Sequence, residues 1–216
     1  LERLSRAFAA RIAHIIGEDV DVPAPDVNTT PEIMGWMIDE YQKIRGFKSP
    51  ATFTGKPVSM GGSLGRTEAT GRGGLFVLQA LLEKLTKGNE TKTVAVQGFG
   101  NVGYFFAKLA HEAGFKVVAV SDSKGGVYNK DGLDPVTVMA FKKKRGQISG
   151  YSGKKVTNEE LLTLPVDILV PAALENVVHE KNASKIKAKV VLEMANGPLT
   201  EEAYLYLGKK GTVIVP

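Results

Sequence analysis

Three glycines raise the first chemical question. Gly98-Phe99-Gly100-Asn101-Val102-Gly103 spells G-x-G-x-x-G, and it lies between the apolar run Thr93-Val94-Ala95-Val96 and a helical stretch from Val102 to Ala113. Such a pattern arises by coincidence in a chain with 24 glycines, so its weight comes from the strand before it and the helix after it. In that setting Gly98 permits the tight turn, Gly100 lets the backbone approach a pyrophosphate, and Gly103 allows helix to pack on strand. Phe99, Asn101 and Val102 complete the loop, and the N–H groups that open the helix suit an anion. Asp122 follows a second apolar run, Val117 to Val120, 19 residues after Gly103. A carboxylate there can accept both hydroxyls of a ribose, which favours NAD over NADP because it repels a 2′-phosphate. Ser123 adjoins it, and Lys124 stands close enough to tolerate that phosphate, so NADP remains open. The other reading makes Asp122 a turn residue of Ser121-Asp122-Ser123-Lys124-Gly125.

Asp26 raises a second question. As a helix cap it is misplaced, because Pro31 at the first helical position makes Thr30 the cap. It lies between Pro25 and Val27 on an extended segment, where a carboxylate can relay protons. A solvated loop aspartate is the alternative. Other chemistries are excluded by what is missing. The chain has no cysteine, hence no disulfide scaffold, zinc ribbon or thiol nucleophile, which fits a reducing cytoplasm. His14, His111 and His179 are scattered, so no metal site is expected. The 28 basic and 23 acidic residues give a net charge of +5. The densest basic run, Lys142 to Arg145, falls between a helix start at Asp134-Pro135 and a stop at Gly146, where cations complement the helix dipole. No nucleic-acid partner is inferred from it. No apolar run reaches the roughly 18 residues of a membrane span, and Leu1 to Arg6 lacks a signal-peptide core.

These residues need elements to position them. Leu1, Leu4, Phe8, Ile12 and Ile15 fall on one helical face, with Gly17 as the stop. A second helix opens at Thr30-Pro31, shows Ile33, Met37, Tyr41 and Ile44, and closes at Gly46. Gly55 to Gly65 reads as a loop running into a long helix with Leu75, Leu78, Leu82 and Leu85. Beyond it, apolar runs at 93–96, 117–120, 168–170, 190–192 and 213–215 alternate with helical stretches at 134–145, 158–164 and 200–208. Continuously apolar strands alternating with helices predict a Rossmann-like, doubly wound α/β fold with a mainly parallel sheet. The expected division is 1–49, a helical remnant of another domain, and 50–216, a dinucleotide-binding domain incomplete at its C-terminus. The uncapped first helix and the strand ending at Pro216 are what a fragment would show.

Five blocks in order carry a resemblance: Pro23 to Thr29, Gly61 to Gly71, Gly98 to Gly103, Pro171-Ala172-Ala173-Leu174-Glu175-Asn176 and Ala195-Asn196-Gly197-Pro198. Over essentially the whole chain the sequence resembles the glutamate dehydrogenases within the Glu/Leu/Phe/Val amino-acid dehydrogenase family. Leucine, phenylalanine and valine dehydrogenases share the fold and the aspartate block but resemble it less around Arg66 to Thr70. The resemblance implies that Asp26 is the catalytic aspartate that shuttles a proton to and from the substrate amine. It implies that Thr70 contacts the nicotinamide carboxamide and that Arg66 lies near the substrate. Gly98 to Gly103, Asp122 and Ser123 would hold pyrophosphate and ribose, and Ala172, Ala173, Asn176 and Asn196 would surround the nicotinamide. The last two blocks also read as a strand-ending turn and small packing residues. The implied reaction is NAD(P)-dependent deamination of glutamate to 2-oxoglutarate and ammonia, in a cytoplasmic homohexamer. The family's catalytic lysine and carboxylate-binding lysine belong to a block absent here, upstream, and a serine selecting the side chain lies downstream. The chain alone is therefore expected to bind cofactor without turning over. A non-catalytic dinucleotide-binding module and a methyl transferase with a similar loop are the rival classes.

Overall fold

Strands that are apolar on both faces need cover on both, and the chain supplies it. The computed structural model describes residues 1–26, 28–85 and 92–216; Val27, in the aspartate block, lies outside them. Contacts divide the chain into two units, Leu1–Thr67 and Glu68–Pro216. The larger holds a seven-stranded sheet. Its parallel strands are β1 (Thr93–Gln97), β2 (Lys116–Asp122), β5 (Ile168–Pro171), β6 (Val190–Leu192) and β7 (Val213–Val215). With the antiparallel β3 (Gly125–Tyr128) and β4 (Lys154–Val156), the order is β4-β3-β2-β1-β5-β6-β7. Val96 in β1 is opposite Val120 in β2 and Val170 in β5.

The pleat sorts the core. Val94 and Val96 join Leu78 of α3 (Arg66–Leu85), Phe106 of α4 (Asn101–Glu112) and Val138 of α5 (Pro135–Arg145). Ala95 joins Leu161 of α6 (Asn158–Leu162), Ala183 of α7 (Glu180–Ala183) and Leu207 of α8 (Glu201–Lys210) on the other face. The expected parallel strands and intervening helices are present. The structure adds β3, β4 and α7. The first forms a hairpin with β2 whose turn is Ser123-Lys124, and Lys154-Lys155-Val156 carries too little apolar signal to read as a strand. At the opposite end of the sheet, Thr93 donates from its N–H and hydroxyl to Asp167 Oδ2, at 3.0 and 2.8 Å. Burial pushes the Asp167 carboxyl up, but these bonds and Lys189 outweigh it and hold it below the usual range.

The N-terminal unit pairs α1 (Glu2–Ile12) with α2 (Pro31–Arg45). The Thr30 hydroxyl caps α2 by accepting from the N–H of Ile33, and Gly46 closes it in the left-handed conformation. One expectation needs correction. Leu1, Leu4, Phe8 and Ile15, the apolar face read from sequence, are exposed, and α1 instead buries Ser5 and Ala9, continuing into Ala13 and Ile16. Small side chains let two helix backbones approach. Arg6, bonded to Glu2 on its own helix and to Asp39 on α2, holds that rotation. Ile33, Met37 and Tyr41 of α2 are buried as expected, together with Met34 and Ile38, whereas Ile44 at the helix end is half exposed.

Candidate functional site

The glycine turn is built by contacts that no side chain would permit. Gly98 has φ +97°, and a Cβ on it would lie 2.7 Å from Ala173 Cβ and 2.8 Å from the Ala172 carbonyl oxygen. A Cβ on Gly103 would lie 1.9 Å from the Gly98 carbonyl oxygen, so α4 starts directly against the turn. Around Gly100, by contrast, no protein atom lies within 4 Å of that position. The middle glycine thus leaves its backbone open to a ligand, while the outer two close on the protein. Phe99 turns into the core, edge-on to Tyr104, and offers the site only its backbone. Val102 is half-buried and Asn101 exposed.

Backbone hydrogen bonds tie together the carboxyl ends of the strands. Gly98 N–H donates to Ser121 O, Ala172 N–H to Gln97 O, and Met194 N–H to Pro171 O. The loop after β5 continues exposed through Ala173 to Asn176, which has φ +53°. Its N–H donates to Gly197 O at 2.9 Å, seating Asn176 against the turn that carries Asn196. Ala172 and Ala173 therefore are packing residues against Gly98 and also wall the same loop. Thr70 is exposed on α3, next to Gly71, where a Cβ would meet the α4 backbone at Phe106 N, 2.6 Å away.

Asp122 ends β2 almost buried. Its Oδ1 accepts the Lys124 N–H and its Oδ2 the Ile148 N–H, both at 2.9 Å. The turn role anticipated for it is thus filled, and two oxygens holding one N–H each retain lone pairs for a further donor. Ser123 beside it is exposed. Sequence reasoning missed two neighbours. Lys142, from the basic last turn of α5, donates to Phe99 O at 2.9 Å and approaches Asp122 Oδ2 at 3.8 Å. Among the described residues, Gln97 Oε1 is the single buried side-chain nitrogen or oxygen without a partner, and it lies at the end of β1. The open Gly100 and this unpaired acceptor both fit a dinucleotide laid across the strand ends. Glu193, just past β6, is half-buried, and burial raises its carboxyl above the ordinary range.

In the N-terminal unit, Asp26 is exposed in a tight turn. Its N–H donates to the Thr29 hydroxyl at 2.6 Å, and that hydroxyl donates to Asp26 O at 2.7 Å. Thr54 N–H donates to Pro23 O. Gly55, with φ +70°, leaves room for the Pro25 ring, 2.5 Å from where a Cβ would project, and the Arg66 guanidinium carbon lies 3.4 Å from that same point. Gly55 therefore brings the aspartate segment and Arg66 to one place. Its only sequence signal was a glycine in a loop.

Residues 61–216 match the family model described as Glutamate/Leucine/Phenylalanine/Valine dehydrogenase, and residues 1–43 match that of the Glu/Leu/Phe/Val dehydrogenase dimerisation domain. The chain is 52% identical over 218 residues to a glutamate dehydrogenase of Thermotoga maritima, covering all of this chain and 52% of that protein. It is 46% identical over 226 residues to an NADP-specific glutamate dehydrogenase of Synechocystis, covering all of this chain and 53% of the relative. Among solved structures it is similar to the hetero-hexameric glutamate dehydrogenase of Thermus thermophilus in its Leu-bound form. There the TM-score is 0.94 at 38% identity, over all of this chain and 51% of that one. The chain spans about half the length of the curated relatives it matches.

Proposed function

The chain belongs to the glutamate/leucine/phenylalanine/valine dehydrogenase family, and from that premise we propose that the whole protein carries out reversible, NAD(P)-dependent oxidative deamination of L-glutamate to 2-oxoglutarate and ammonia. The observation that carries the reading is the glycine turn, closed on the protein at Gly98 and Gly103 and open at Gly100. We assign Glu68–Pro216 to dinucleotide binding and Leu1–Thr67, the separately packed unit that carries Asp26, Gly55 and Arg66, to the remainder of a substrate domain, which puts the boundary near 67 rather than at the expected 49. The names of the relatives support glutamate as substrate, and the dimerisation-domain match supports an oligomer, in our reading a homohexamer. Among the described residues no helix is long and apolar enough to cross a membrane, which is compatible with the cytoplasmic location we assign.

A bound nicotinamide would supply the hydride acceptor for the substrate α-carbon. The chain's own groups hold and orient. The N–H groups at the start of α4 and the Gly100 backbone take the pyrophosphate, and Asp122 with Ser123 takes the adenosine ribose. Thr70, Ala172, Ala173, Asn176 and Asn196 shape the nicotinamide end. Asp26 passes the proton to and from the amine nitrogen, and Arg66, beside the aspartate segment, faces the substrate.

Titration calorimetry of the 216-residue chain with NADH, and assay of the whole protein with glutamate, leucine, phenylalanine and valine, test this reading. The expected result is saturable NADH binding by the chain and turnover led by glutamate. Absence of NADH binding overturns the dinucleotide assignment; turnover led by leucine moves the protein within its family.

A further inference from the structure

Four cations in the last turn of α5 complement the helix dipole from solvent, and nothing in that role requires one of them to fold inward. Lys143, Lys144 and Arg145 are exposed, but Lys142 is not: its side chain is 27% exposed and its ammonium donates to Phe99 O at 2.9 Å. Ordering a lysine gives up much of its rotamer freedom, so the inward fold needs a compensating contact. Phe99 is the residue between Gly98 and Gly100, so the ammonium grips the turn whose open face is the candidate pyrophosphate cradle. The same ammonium stands 3.8 Å from Asp122 Oδ2, on a side chain only 7% exposed. That oxygen also accepts the Ile148 N–H, and Asn158 Nδ2 donates to the Asp122 carbonyl at 2.9 Å. The end of β2 is thereby fixed from α5, from the loop behind it and from the first residue of α6.

An acid in this position ordinarily turns away a 2′-phosphate. Here the acid is nearly buried, already accepts two backbone N–H groups, and faces a cation. We propose that Lys142 is a positioning residue for the coenzyme: it holds the Phe99 carbonyl of the glycine turn and offsets the Asp122 charge, so that the adenosine end admits NADPH as well as NADH. This rests on the dinucleotide reading above. Lys142 acts through Phe99 and Asp122, and its effect on coenzyme choice passes through the acid.

Calorimetric titrations of NADH and NADPH into the chain and its variants test this, with circular dichroism to establish that each is folded. Lys142→Met keeps the aliphatic stem and removes the charge. The NADPH Kd is expected to rise about tenfold or more and the NADH Kd by no more than about threefold, because only the former meets an unmasked carboxylate. Lys142→Arg restores both to within about threefold of the starting protein, since a guanidinium can serve both contacts. In Lys142→Met combined with Asp122→Asn there is no charge left to unmask, and the NADPH-to-NADH ratio returns to that of Asp122→Asn alone. If Lys142→Met does not fold, Lys142→Gln keeps a donor for Phe99 O and is expected to show the same shift in ratio.

An unchanged ratio in the neutral variant overturns the proposal. So does a ratio still lost in the double variant, which would mean that Lys142 meets the phosphate itself. A wild-type chain that binds NADH and rejects NADPH overturns it too. A wild-type chain that binds neither coenzyme overturns the dinucleotide reading and this inference with it, whereas binding with an unresponsive Lys142 overturns this inference alone.

Discussion

The glycine turn and the aspartate segment are held in opposite ways. The turn is closed on the protein at its two ends and open in its middle: Gly98 N–H reaches Ser121 O, Gly103 lies under the Gly98 carbonyl, Ala172–Ala173 closes one flank, and nothing crowds Gly100. Behind it stands a sheet with buried side chains on both faces. In the aspartate segment Asp26 is exposed, and the segment is fastened by the Thr29 hydroxyl, one bond from Thr54 N–H to Pro23 O, and the fit of Pro25 against Gly55. A phosphate cradle is made of backbone, so a short run of glycines must encode it where it stands. A carboxylate needs only to be delivered to a place, and the residues that deliver it lie some thirty positions away along the chain. One local motif is legible by itself; the other gains meaning only from its distant partners.

Breaking each region should therefore fail differently. The largest effect is expected from Asp26→Asn in the whole protein: turnover falls by roughly 10²–10⁴, the usual worth of a positioned proton-transfer group. Amide and acid are nearly isosteric, so NADH affinity and the urea midpoint should stay put. Turnover within a few-fold of the parent would remove Asp26 from the proton path.

Next comes Gly103→Ala. Its methyl would lie 1.9 Å from the Gly98 carbonyl oxygen, which is backbone and cannot rotate away. The expected cost is about 2–3 kcal/mol of stability by urea unfolding, with NADH binding weakened at least about tenfold, because helix and turn must separate. A variant that binds NADH normally would show that the turn tolerates displacement.

Gly55→Ala sharpens the contrast. A left-handed residue would gain a side chain pressed into the Pro25 ring, at about 1–2 kcal/mol. Faster amide exchange is expected in residues 20–29, with NADH affinity unchanged within about twofold because that site is distant in sequence and separately packed. Equal loss at both regions would show that the units are not independent.

How much was legible follows from the same contrast. The parallel strands and their helices were readable because Val94-Ala95-Val96 and its counterparts are apolar without interruption, and caps such as Thr30, Asp134 and Gly146 are local. The roles of the outer glycines were readable for the same reason. The rotation of α1 was not: Leu1, Leu4, Phe8 and Ile15 form a better apolar stripe than Ser5, Ala9 and Ala13, yet the small residues meet α2. Periodicity says which side chains share a face, not which face a neighbour can approach. Lys142 was read as one of four equivalent cations, because its acceptor, a carbonyl 43 positions earlier, carries no trace in the sequence. Gln97, next after the apolar run Thr93 to Val96, gave no signal in the sequence, and only its three-dimensional surroundings show its oxygen unpaired.

The smallest expected effect probes what the carboxyl edge costs the fold. Glu193 follows β6, its N–H donating to Val215 O, with its side chain half-buried. Burial raises its carboxyl above the ordinary range of a glutamate. The native state then holds the proton more tightly than the unfolded chain. The contribution of this group is fully present below the unfolded value and is lost as pH rises through the higher, folded one. At neutral pH the ionised side chain therefore opposes folding, and Glu193→Gln, which never ionises, should stabilise the protein. Solvent screens a half-exposed carboxylate, so the gain is under about 1 kcal/mol. Urea unfolding of parent and variant at about pH 8 and about pH 4 reads it out: the variant is more stable at the first, and the difference closes at the second, where both side chains are neutral. A variant less stable at about pH 8 would mean that the Glu193 carboxylate is held by a favourable partner and belongs with the bonded groups of this edge.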